Sequence, residues 1–123
     1  MLTVLVVDDE FGVAEVIAAI LEDEGYRVLT AVNGKQGLAR AAEAKPDLIL
    51  LDMMMPIMDG PSMLRALQAD PVLASIPVVV MSSLDAASVE AQCQGHTGFL
   101  RKPFRASSVT RIIAETLGQG TSD

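Results

Sequence analysis

The chain has 123 residues, a formal net charge of −7, a composition half apolar but only 3% aromatic, and a single cysteine. That size suits one domain with an aliphatic core and no covalent staples, and the lone Cys93 rules out an intrachain disulfide. The acidic balance argues against direct nucleic acid binding, which needs a basic footprint, and against docking on an anionic membrane.

Leu2 to Val7 is a continuous apolar run rich in β-branched residues, as expected for a strand buried on both faces. It has no basic flank and meets acids at once, so it reads as neither a secretion signal nor a membrane span. The expected location is a reducing cytoplasm. Val13, Val16, Ile17, Ile20 and Leu21 then form one helical stripe, which Gly25 ends. Tyr26 to Val32 reads as a second strand. Asn33-Gly34 could turn a hairpin, but an alanine-rich helical stretch follows, so it reads as a strand-to-helix loop. Lys45-Pro46 closes that helix, and Asp47 to Leu51 supplies a third, buried strand.

MMMPIMDGP, from Met53 to Pro61, is too rich in turn signals for a helix. Met63, Leu64 and Leu67 mark the next helix, and Pro77 opens a fourth strand, VVVM. Residues 85–94 form a weak helix anchored by Val89. Gly98-Phe99-Leu100 is a short fifth strand. Val109, Ile112, Ile113 and Leu117 form the last stripe, before a tail at 118–123.

Five strand–helix alternations predict an α/β fold: a doubly wound parallel sheet with helices on both faces. Ligands in such sheets bind beyond the carboxyl ends of the strands. Asp8 and Asp9 follow the first strand, Asp52 closes the third, Ser82 lies just past the fourth, and Lys102 follows the fifth. Packed carboxylates repel one another, and a divalent cation relieves that repulsion. Magnesium favours a few carboxylates, waters and phosphate oxygens. Asp52 can serve as a nucleophile that forms an acyl phosphate. Lys102 then meets a phosphoryl oxygen as a point charge, and Ser82 offers a hydroxyl.

Each residue also has an ordinary structural reading. Asp8-Asp9-Glu10 suits a solvated loop or helix cap, and Asp52 a turn. Ser82 and Ser83 could cap the following helix, Lys102 could be a surface lysine, and Lys102-Pro103 could open a helix. What favours a site is their conjunction at successive strand ends.

VLVVDDE, LILLDMMMPIMDG, PVVVMSS and GFLRKPF together resemble the signature of response regulator receiver domains of two-component signalling, from Leu2 to about Leu117. The resemblance implies a flavodoxin-like sheet of order 2-1-3-4-5, with a receiver domain at 1–117 and a flexible tail or linker at 118–123. It implies that Asp52 is the phosphoacceptor. Mg2+, for which Mn2+ can substitute, would be held by Asp9, Asp52 and the Met54 backbone carbonyl, with Asp8 acting through a water. Lys102 and Ser82 would be catalytic, Ser82 and Phe99 would form the switch pair, and the Lys102–Pro103 peptide would be cis. The phosphoryl donor would be a sensor histidine kinase or histidine phosphotransfer protein. The changed surface, around the fourth helix, fifth strand and fifth helix, would act on an effector protein or an attached output domain. The domain would be no conventional enzyme, catalysing only its own phosphorylation and slow dephosphorylation.

His96 stands where the family commonly has alanine. Met54 and Leu84 occupy places that tune acyl-phosphate lifetime in the family. Both are apolar here and cannot hold an attacking water by hydrogen bonding, whereas Met53 and Met55 read as core fillers. Three rivals remain. A flavodoxin-like binding module would want a glycine- or hydroxyl-rich phosphate loop after the first strand, where acids stand here. A phosphatase with an aspartate nucleophile would want a second acid at Met54. A degenerate receiver would serve only as an interaction scaffold.

Overall fold

The five apolar runs pair into one parallel sheet. Its strands are β1 (Thr3–Val7), β2 (Arg27–Ala31), β3 (Leu48–Asp52), β4 (Val78–Ser82) and β5 (Gly98–Arg101), in the order β2-β1-β3-β4-β5. The structure, a computed structural model, describes residues 1–93 and 95–118. The helices are α1 (Phe11–Asp23), α2 (Gly34–Ala44), α3 (Gly60–Ala69), α4 (Ala86–Gln92) and α5 (Ala106–Thr116). Among the described residues no helix is long and apolar enough to cross a membrane.

Alternate residues of each strand feed opposite faces, and both faces are covered. Leu5, Val7, Ile49, Leu51, Val78 and Val80 pack with Ala41 of α2, Met63, Leu64 and Leu67 of α3, and Val89 of α4. Val4, Val6, Leu48, Leu50, Val79 and Met81 pack with Ala14, Ile17 and Leu21 of α1, and with Val109 and Ile113 of α5. This two-sided burial is why β1, β3 and β4 read as unbroken apolar runs.

Helix ends follow local chemistry. Asn33, Asp59 and Asp85 each accept a backbone N–H three residues on (2.8, 2.9 and 2.8 Å) and so cap α2, α3 and α4. Asp85, not Ser82 or Ser83, therefore starts α4, because its carboxylate reaches the Ser88 amide. Lys45 ends α2 in a left-handed conformation (φ 46°), and Pro46 follows. Gly25 (φ 94°) turns the chain from α1 into β2.

Three expectations shift. The buried stripe of α1 is Ala14, Ile17 and Leu21, whereas Val16 is 58% exposed. The helix is rotated so that the small Ala14 faces the sheet and leaves Val16 beside Pro103 and Phe104. β2 is shorter than residues 26–32, and α4 is shorter than 85–94. Gln94 and residues 119–123, most of the expected tail, lie outside the described residues.

Register is what places the site. Val7 pairs with Leu51, so Asp8 emerges beside Asp52. Asp52 pairs with Met81 and Ser82 with Arg101, so Ser82 and Lys102 arrive at the same end of the sheet. The Lys102 amide donates to the Ser82 carbonyl (2.8 Å) and extends that pairing by one residue.

Candidate functional site

Asp8, fully buried, lies immediately after β1. The Glu10 amide donates to its Oδ1 (2.8 Å) and Lys102 Nζ to its Oδ2 (3.1 Å), so both oxygens are engaged. Asp52 is 6% exposed, and Lys102 Nζ donates to its Oδ1 at 3.1 Å. Lys102 thus bridges the two buried acids, with Glu10 a further 3.7 Å neighbour. Asp9 is exposed, yet it offers a carboxylate oxygen within 4.8 Å of oxygens from Asp8 and Asp52.

The acids outnumber the cation, and the electrostatics show it. Burial, then the negative charge of Asp8, pushes the Asp52 carboxyl up to about 6, although Lys102 opposes this. Burial alone would lower the Lys102 pKa, but its hydrogen bonds to Asp52 and Asp8 and their charges outweigh burial and raise it. Three clustered carboxylates facing one ammonium form a hard-oxygen set with surplus negative charge, which fits a divalent cation.

An open cleft of about 500 Å³ carries these groups, lined by Asp9, Asp52, Met54, Ser82 and Lys102 among others. Ser82, the last residue of β4 and not the one after it, is buried, and its Oγ accepts the Leu84 amide (3.0 Å). Met54 is 76% exposed at the mouth, whereas Met53 is buried and Met55 packs on the core. Leu84 lines an adjoining cleft with Met54, Asp9 and Asp59. Phe99 does not enter the cleft. It is half-buried on β5 opposite Val80, against the α2–α3–α4 side of the core. The Lys102–Pro103 peptide is cis.

Two contributors were not legible beforehand. Glu10 orders Asp8 through its backbone amide, a contact hidden in what reads as a plain acidic run. Gly60 passes so close to Asp52 that a Cβ there would strike the Asp52 carbonyl and lie 2.8 Å from Met53 Cα. Its amide donates to the Met53 carbonyl (2.9 Å) and pins the loop after β3. Only the Asp59-Gly60 pair within the motif hinted at this close approach. His96, on the loop before β5, has Nδ1 2.9 Å from the Cys93 carbonyl and Nε2 3.8 Å from the Glu90 carboxylate, and it does not line the cleft that holds Asp52.

Residues 4–114 match the response regulator receiver domain family. The chain belongs to that family. Among curated relatives, PleD of Caulobacter vibrioides is 41% identical over 118 residues, covering 89% of this chain and 26% of PleD. The chain thus spans about a quarter of that relative's length. PilH of Pseudomonas aeruginosa is 34% identical over 119 residues, with 95% and 98% of the two chains covered. Among solved structures, chemotaxis protein CheY4 of Vibrio cholerae superimposes with a TM-score of 0.89 at 29% identity, covering 94% of this chain and 98% of that one. The receiver domain of sensor histidine kinase PA1611 from P. aeruginosa, solved with a magnesium ion coordinated in its active site cleft, gives a TM-score of 0.89 at 28% identity, with coverage of 96% and 98%. The chain is a receiver domain of two-component signalling, with an acidic pocket compatible with Mg2+ and phosphorylation.

Proposed function

We propose that Asp52 accepts a phosphoryl group from the phosphohistidine of a sensor histidine kinase or histidine phosphotransfer protein. The domain would act in the cytoplasm and pass the change to an effector protein or an attached output domain. The observation that carries this reading is the buried Asp8–Lys102–Asp52 bridge, with Asp9 beside it at the cleft mouth. The receiver unit would span residues 1–117.

In the transfer, an Asp52 Oδ attacks phosphorus, and the bond from phosphorus to the donor's imidazole nitrogen breaks. The electron pair leaves on that nitrogen. Lys102 would exchange its Asp52 partner for a phosphoryl oxygen, and Ser82 would donate its hydroxyl to another. Asp9, Asp52 and the Met54 carbonyl would hold Mg2+ or Mn2+, with Asp8 acting through a water, and the ion would supply neutralisation of the transferred charge.

Once drawn to the phosphoryl group, Ser82 Oγ gives up the Leu84 amide and loosens the turn into α4. Phe99, paired on β5 with Val80, is the aromatic side chain that answers this change by turning inward. The α4–β5–α5 face then shifts between two populations.

The test is intact-mass spectrometry after incubation with acetyl phosphate or phosphoramidate, with and without Mg2+. One Mg2+-dependent phosphoryl gain, absent in Asp52→Asn, is the expected result. No gain on folded protein would leave the scaffold reading.

A further inference from the structure

The seven methionines of this chain are unequally placed. Met53, Met63 and Met81 are buried, and Met55 and Met58 are partly buried against the core. Only Met1, at the chain start, and Met54 are largely exposed, at 92% and 76%. Met54 lines both the cleft that holds Asp52 and the adjoining one that holds Leu84. The single thioether that is open to solvent and beside the acids is therefore at the mouth of the site.

We propose that Met54 is a peroxide-oxidation site that shortens the life of the phosphorylated state. The inference rests on the phosphoacceptor reading of Asp52. The step is a two-electron oxidation. The sulfur lone pair attacks one peroxide oxygen, the O–O bond breaks, and the product is a sulfoxide with release of one water. Sulfur is oxidised and hydrogen peroxide is reduced. A thiol-dependent sulfoxide reductase reverses the change.

The consequence follows from what the sulfoxide adds. Met54 and Leu84 present apolar surface at the mouth, and neither side chain can orient a water toward an acyl phosphate. A sulfoxide oxygen is a strong acceptor on the same flexible stem, so it can hold a water near Asp52. The exposed side chain leaves the core undisturbed, so the fold survives the modification. One added hydrogen bond to the attacking water corresponds to about a fivefold faster hydrolysis, equivalent to about 1 kcal/mol.

The experiment uses the whole chain. The protein is treated with hydrogen peroxide, and peptide mass mapping locates each added oxygen. Treated and untreated protein are then phosphorylated with phosphoramidate and Mg2+, and loss of the phosphoryl mass is timed. The expected result is oxygen on Met54 while Met53, Met63 and Met81 remain reduced, together with faster decay. Met54→Leu, compared with itself before and after peroxide, should show no change in decay. Unchanged or slower decay in treated wild type would overturn the inference, as would equal acceleration in Met54→Leu or no oxygen on Met54. Absence of any phosphoryl gain in untreated protein would instead overturn the phosphoacceptor reading, and this inference with it.

Discussion

Replacing Asp52 with asparagine should stabilise the metal-free protein at neutral pH. In the folded state the Asp52 carboxyl titrates near 6 instead of 3.8, because burial and Asp8 disfavour its charge more than Lys102 favours it. A carboxyl whose folded pKa is raised binds more protons folded than unfolded between those two values, so stability falls as pH rises through that window. The shift of about two units corresponds to about 3 kcal/mol lost above pH 6, and to nothing well below pH 4. Asparagine keeps the shape and an oxygen acceptor for Lys102 but carries no charge, so it escapes this loss. In urea melts with a chelator present, Asp52→Asn should exceed wild type by about 3 kcal/mol at pH 7.5 and match it near pH 3. At neutral pH the thermal midpoint should rise by about 10 °C. A gain that is the same at both pH values would refute the electrostatic reasoning and point to packing, and a loss at pH 7.5 would mean that the Lys102 pair outweighs burial.

Lys102→Met should act in the opposite sense, because it strands two buried carboxylates: a loss of about 3 kcal/mol at pH 7.5 in the same melts, only partly recovered in the Lys102→Met/Asp52→Asn double variant, where Asp8 stays buried without its ammonium. Millimolar Mg2+ should raise the wild-type thermal midpoint by binding only the folded state, and Asp9→Asn should weaken that rise at least tenfold in Mg2+ concentration. Calorimetry or dye-based melting reads this, since the chain has no tryptophan.

The chemistry of the site was written in residue types. Asp8, Asp9, Asp52, Ser82 and Lys102 each stand at the end of an apolar run, and runs alternating with helical stripes imply parallel strands whose ends converge. Local propensity and periodicity carry that much, because burial on both sheet faces demands unbroken apolar strands. Periodicity failed where packing competes among similar residues. Val16 and Ala14 are both apolar on adjacent faces of α1, and only close approach to the sheet selects the smaller one. Ser82, Ser83 and Asp85 are all good caps, and only the backbone direction after β4 gives the task to Asp85.

The sheet, its covering helices and the inventory of acids, hydroxyl and lysine follow from side-chain chemistry and short-range spacing. How those groups divide the work depends on the folded chain. Strand register brings Asp8 level with Asp52, and Lys102, some fifty residues further along the chain from Asp52, closes the bridge between them. The Glu10 amide, Gly60's approach to the Asp52 carbonyl and the raised Asp52 pKa also belong to the fold. Distances between residues far apart in sequence, and the desolvation that depends on them, exist only once the chain has folded.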